Sequence, residues 1–142
     1  MNERIKLIVQ GLYRIHGTCN PLTIADILGI EIRYVPFKEN PQGQYIKVLG
    51  EPCILISDQL ENTEGCYFIL AHELYHYLQH EDLFGYYIMT EFTRGKLEQE
   101  ANAFATILLL NYYLEEYDYY PSTFRDIAFQ FGIPDEVSKN YI

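Results

Sequence analysis

A mostly helical α+β domain is the architecture this chain predicts, and three observations lead there. Apolar residues recur at helical spacing near the start, again around residues 63 to 79, and again from about 95 to 110. Between the first two of these regions lie short alternating or β-branched runs separated by Gly, Pro and Asn, which predict a small three-stranded antiparallel sheet. At 142 residues the chain suits one domain, residues 1–142, with a single core and no separate partner domain.

The elements follow in order. Ile5, Ile8, Val9, Leu12 and Ile15 form the stripe of a first helix over residues 3 to 15, which Gly17 stops. Asn20-Pro21 supplies a cap and a proline at the first helical position for a short second helix, closed by Gly29. Ile30-Glu31-Ile32-Arg33-Tyr34-Val35 alternates as a strand does, and Pro36 ends it. Asn40-Pro41-Gln42-Gly43 is turn chemistry, residues 44 to 49 form a second strand, and Gly50-Glu51-Pro52 turns the chain into a third, Cys53-Ile54-Leu55-Ile56. The helix over 63 to 79, with Asn62 or Thr63 as its cap, packs its apolar face on that sheet. Residues 81 to 95, with Gly85 and Gly95, read as a mobile connection in which Tyr86-Tyr87-Ile88-Met89 is capable of order. The helix over 95 to 110 leads into a stretch from Tyr112 to Tyr120 dense in tyrosine and acid. Ser122 then caps a helix with Phe124, Ile127, Ala128 and Phe131 on its apolar side, and Gly132 and Pro134-Asp135 break it before a short final helix.

Composition excludes several classes of function. Nearly half the residues are apolar and 15% are aromatic, which rules out general disorder. No apolar run reaches the length that spans a bilayer, and Met1-Asn2-Glu3-Arg4 does not lead into a signal-peptide core, so a cytoplasmic location is expected. Cys19, Cys53 and Cys66 are odd in number and fit neither a zinc knuckle nor a redox pair, so they read as reduced core residues. A net charge of −10 argues against direct nucleic-acid binding and suits a basic protein partner. The closing helix, turn and helix have the outline of a DNA reader, but with only Arg125 and Lys139 basic there they read as a packing element.

One stretch specifies a chemistry: His72-Glu73-Leu74-Tyr75-His76. On an α-helix a four-residue step is about 400° of rotation and about 6 Å of rise, so both imidazoles project from one face and can converge on one ion. Glu73, about 100° round from His72, stands off the ligand pair yet within reach of a water at the ion. The apolar run Phe68-Ile69-Leu70-Ala71 before the motif and Tyr77-Leu78 after it make the segment an uninterrupted helix. The plain alternative is a buried helix with two incidental histidines. In the later helix Glu98, Ala101, Asn102, Ala105 and Leu109 share a stripe whose alanines allow close approach to the motif helix. A carboxylate on such a stripe is costly to bury unless something pairs with it, and a zinc ion would.

These segments together resemble the ImmA/IrrE family of zinc metallopeptidases, found in prophages, mobile elements and bacterial stress responses. The resemblance rests on Asn20-Pro21-Leu22-Thr23-Ile24-Ala25 with Leu28-Gly29-Ile30-Glu31-Ile32, on Ala71-His72-Glu73-Leu74-Tyr75-His76 with His80, on residues 98 to 110, and on Ile127-Ala128-Phe129-Gln130-Phe131-Gly132-Ile133. It implies a minimal zincin-like, gluzincin-like domain in which two motif histidines and a downstream glutamate hold Zn2+. Glu98 and Glu100 compete for the third place. Glu98 is preferred, because it lies on the alanine stripe and is followed four residues on by Asn102, a polar group able to buttress a ligand, and Glu100 is the fallback, otherwise a solvated surface acid. The chain departs from the family pattern at Tyr75, where a small residue such as glycine is common, and at Asn111, where proline is common. Tyr75 is expected to narrow the cleft.

The expected activity is peptide-bond hydrolysis, with zinc on His72, His76 and Glu98 and with Glu73 as general base. Manganese, nickel or iron would fit the same ligands. The oxyanion donor stays open among tyrosine, histidine and arginine, and His80 reads as a helix-end group or a support for the ligands. The resemblance implies a helix-turn-helix repressor of a phage or mobile element as substrate, and the strand 53 to 56, if at the sheet edge, would pair with an extended segment of it. The alternative is a zinc-containing, non-catalytic module that binds and sequesters such a repressor, with Tyr112 to Tyr120 as contact surface.

Overall fold

A computed structural model describes residues 2–37, 42–79 and 90–140. Helix α1 (Asn2–His16) buries Ile5, Val9 and Leu12, the one-face spacing its sequence predicts, but the stripe ends there: Ile15 is exposed. Helix α2 (Pro21–Ile27) starts as expected, with the Asn20 side-chain oxygen accepting the Leu22 N–H at 2.9 Å and the Thr23 N–H at 3.4 Å.

Strands β1 (Glu31–Val35), β2 (Gly43–Val48) and β3 (Glu51–Ser57) form one sheet in the order β1-β3-β2. β2 and β3 are antiparallel, joined by the two-residue turn Leu49-Gly50, both at positive φ, as tight hairpins of this twist require. β1 runs parallel to β3, with Glu31 opposite Cys53 and Val35 opposite Ser57, so the sheet is mixed rather than the antiparallel meander expected. β3 carries the buried side chains Cys53, Ile54 and Ile56, whereas no residue of β1 is fully buried. The most apolar strand takes the centre, and residues 36–50 are long enough for the crossover that parallel pairing needs. Strand 53 to 56 is thus central, and the edge position that would let it pair with a substrate segment belongs instead to β2, the outer strand beside the next helix.

That helix, α3 (Tyr67–Gln79), begins after a 3-10 turn at Glu64–Cys66, four residues later than its apolar run suggests. Thr63 does not cap it; its hydroxyl donates backward to the Leu60 carbonyl at 2.8 Å. α4 (Glu91–Tyr117) is longer than expected at both ends. Thr90 caps it by accepting the Thr93 N–H at 3.2 Å, Gly95 lies inside it at a cost of about 1 kcal/mol, and burial of Tyr112 carries it through the tyrosine-rich stretch to Tyr117. α3 and α4 pack closely through Ala101 and Ala105, both fully buried, with the Tyr75 and Phe104 rings 5.2 Å apart.

α5 (Phe124–Phe131) buries Ile127 and Phe131, and α6 (Asp135–Ser138) follows. Thr123, one residue beyond the expected Ser122, opens α5: the Asp126 carboxylate accepts its N–H at 3.3 Å. Gly132 ends α5 at positive φ and lies so close to the 3-10 turn that a Cβ on it would collide with the Gly65 carbonyl. All three cysteines are buried free thiols. Among the described residues no helix is long and apolar enough to cross a membrane. The Asn40-Pro41 turn, His80 and most of the connection from 81 to 95, including Tyr86-Tyr87-Ile88-Met89, lie outside the described residues.

Candidate metal centre

Two helices each deliver part of one cluster. On α3 the four-residue step sets His72 and His76 side by side, ring centroids 5.1 Å apart. From α4, Glu98 reaches both: its Oε2 lies 2.6 Å from His72 Nε2 and its Oε1 3.0 Å from His76 Nε2. One donor atom from each of the three residues lies within 4.8 Å of the others. Two imidazoles with a carboxylate are a donor set suited to zinc.

The His72 ring is held from behind. Asn102, one turn beyond Glu98, has its Oδ1 2.8 Å from His72 Nδ1, which favours a proton on Nδ1 and turns Nε2 toward the cluster. Burial lowers the His72 pKa, but the Glu98 hydrogen bond and the charges of Glu73 and Glu98 outweigh it, and the net direction is upward.

Glu73 stands where the motif's geometry predicts, its Oε2 3.8 Å from His72 Nε2. Its Oε1 accepts the backbone N–H of Tyr45 on β2 at 2.8 Å. Burial pushes this carboxyl above the ordinary range against the opposing pull of His72, His76 and the Tyr45 N–H. A carboxyl so raised is well matched to taking up and returning a proton. Gly43 lets β2 come this close, because a Cβ there would collide with Ile69 Cγ2 and lie 3.2 Å from the Leu55 carbonyl. A cleft of about 450 Å3 opens here, lined by His72, Glu73, Gly43, Phe68, Ile69, Asn102 and Pro134 among others.

His72, His76, Glu98 and Glu73 thus come together, and Glu100 does not join them. It is buried, only 7% exposed, and its Oε2 accepts hydrogen bonds from the Tyr75 hydroxyl at 2.7 Å and from Arg4 at 2.6 Å. It is neither a ligand candidate nor the solvated acid expected. The signal was present in the sequence: two helical positions are about 200° apart, so Glu98 and Glu100 leave opposite sides of α4. Tyr75 is also displaced from its expected role. It is fully buried with its hydroxyl on Arg4 and Glu100, away from the cleft, and does not narrow it. The Tyr45 contact had no sequence signal, since it is made by a backbone group.

Comparison with known proteins agrees with this geometry. Residues 25–138 match the peptidase M78 family, described as the IrrE N-terminal-like domain. The chain is 32% identical over 112 residues to metallopeptidase ImmA of Bacillus subtilis (strain 168), a match covering 77% of this chain and 64% of that protein. It is 31% identical over 137 residues to uncharacterized immunity region protein 2 of Bacillus phage phi105, covering 94% of this chain and 86% of that one. No solved structure matches it. Motif, site geometry and sequence likeness converge on one conclusion: the chain belongs to the ImmA/IrrE family, peptidase M78, with its IrrE N-terminal-like domain over residues 25–138.

Proposed function

We propose that this chain is a zinc-dependent metalloendopeptidase that holds its metal with His72, His76 and Glu98. The observation that carries the reading is the convergence of these three donors beside the carboxyl of Glu73, its side chain 13% exposed, in an open cleft. A zinc ion so held supplies Lewis acidity, which acidifies water and polarises a scissile carbonyl. Glu73 takes the proton from the attacking water and delivers it to the leaving amine. The Tyr45 N–H keeps the carboxylate aimed into the cleft through one oxygen, leaving the other for proton transfer. Asn102 orients His72, and β2, the outer strand beside Glu73, offers an edge along which an extended peptide could align.

The substrate we propose is a basic helix-turn-helix repressor of a phage or mobile element, met in the cytoplasm. The net charge of −10 and the likeness to a phage immunity region protein support this. Glu73→Gln is the direct test. Zinc content should be retained while cleavage of the purified repressor falls by about 10²–10⁴-fold, the share general acid–base catalysis contributes. Full cleavage by a zinc-loaded Glu73→Gln protein would falsify the assignment.

A second reading is a zinc-containing module that sequesters the repressor without cutting it. It is favoured by the exposed rings of Tyr117, Tyr119 and Tyr120, with Tyr113 and Tyr117 only 4.5 Å apart, since clustered tyrosine suits a contact surface. Relief of repression by Glu73→Gln in cells would favour this reading over proteolysis.

A further inference from the structure

Opposite the cleft, the seam between α3 and α4 carries a second polar junction. The Arg4 guanidinium from α1 donates to the Tyr75 hydroxyl at 2.8 Å and to Glu100 Oε2 at 2.6 Å, and the Tyr75 hydroxyl itself donates to that same oxygen at 2.7 Å. Tyr75 is fully buried and Glu100 nearly so, while the Arg4 side chain is half exposed. Three helices therefore meet at one carboxylate oxygen. Two of the three members lie beside the metal candidates in sequence, Tyr75 immediately before His76 and Glu100 two residues after Glu98.

We propose that Arg4, Tyr75 and Glu100 are positioning residues for the metal site, setting the rotation of α4 against α3 so that Glu98 meets His72 and His76. This inference rests on the metal-site reading above. The geometry explains why one contact would not suffice. Glu98 and Asn102 touch α3 on one flank of the seam, while Glu100 and Phe104 touch Tyr75 on the other. The alanines between them, Ala101 and Ala105, offer a smooth surface on which a helix can roll. A side-chain tip stands about 5–6 Å from a helix axis, so a roll of about 10° moves it by about 1 Å. Metal bonds tolerate only about 0.2 Å. Glu98 is 42% exposed and cannot resist such a roll by its own packing. The junction on the far flank can, because turning α4 would strip a buried carboxylate of its Arg and Tyr partners, which is costly.

The test separates positioning from plain stability. Zinc affinity of the whole protein is measured by chelator competition for the wild type, Tyr75→Phe and Glu100→Gln, with the melting temperature of each metal-free form and the visible spectrum of each cobalt(II) form. The expected result is a Kd for zinc weakened about 10-fold in both variants, the low end of the loss seen when the support of a metal ligand is removed, together with an altered cobalt spectrum. Val137→Ala on α6 serves as control and should lower the melting temperature while leaving the Kd unchanged. Arg4→Met, at the half-exposed end of the junction, carries the same expectation should Tyr75→Phe fail to fold. Unchanged zinc affinity in the folded variants, or an equal loss in Val137→Ala, would overturn the inference. Failure of the wild type to bind zinc would instead overturn the metal site itself.

Discussion

Glu98 and Glu100 are the same residue type two positions apart on one helix, yet they live in opposite surroundings. Glu98 is partly open to solvent and its two oxygens face two imidazole nitrogens that also face each other. Glu100 is buried and its Oε2 is met by two donors from other helices. The second arrangement is closed: the carboxylate has the partners that make burial tolerable. The first gathers donor atoms around a shared point rather than pairing them off, and that convergence, more than burial or charge, marks the candidate centre. Glu115 offers a third case on the same helix, accepting the Cys19 N–H at 2.7 Å and the Thr18 hydroxyl at 2.6 Å, again a carboxylate committed to joining segments.

The contrast can be broken in graded steps. Glu98→Ala should have the largest effect, a loss of zinc affinity above about 100-fold, since removing a ligand exceeds the loss from removing its support. Its metal-free melting temperature should hardly move; a large drop would mean that Glu98 is structural after all. Glu100→Ala should do the reverse to the fold, costing about 2 kcal/mol in denaturant unfolding by leaving Arg4 and Tyr75 without their acceptor, a figure held below the fully buried range by the exposure of Arg4. Asn102→Ala should weaken zinc about 10-fold in chelator competition and leave urea unfolding nearly unchanged. The smallest effect concerns Cys19, whose thiol is pushed up to about 12 by burial and then by the Glu115 charge. With the folded value above the unfolded one, the neutral thiol contributes stability that is intact below about pH 9 and declines as pH rises toward about 12. At pH 8 a thiol reagent should leave Cys19 of the native protein unmodified and label it on unfolding.

Much of this was legible in the residues. His72 and His76 stand on one face because the helical period puts them there, and the alanine stripe of α4 points to Glu98 and Asn102, both of which reach His72. What stayed hidden depends on contacts between segments. Nothing local in Glu31–Val35 tells a strand to run parallel to β3, since that choice is made by which strand is apolar enough to occupy the centre. Thr63 and Ser122 are good caps by type, yet the Thr63 hydroxyl bonds the Leu60 carbonyl three residues back, and the Asp126 carboxylate accepts the N–H of Thr123, one residue past Ser122. Gly95 looks like a breaker and was absorbed by a helix whose far end is anchored by burial of Tyr112. The partnership of Arg4, Tyr75 and Glu100 spans three helices and has no short-range signature.

The glycine that closes α5 bears on the mouth of the cleft. Gly132 rests against the backbone of Gly65, and both residues border the opening together with Pro134. The C-terminal helical pair is thereby seated as a fixed jaw, backbone on backbone, with no side chain between to act as a spacer. A methyl group added at position 132 would wedge that jaw outward, so the gauge of the slot is set by an atom the chain leaves out.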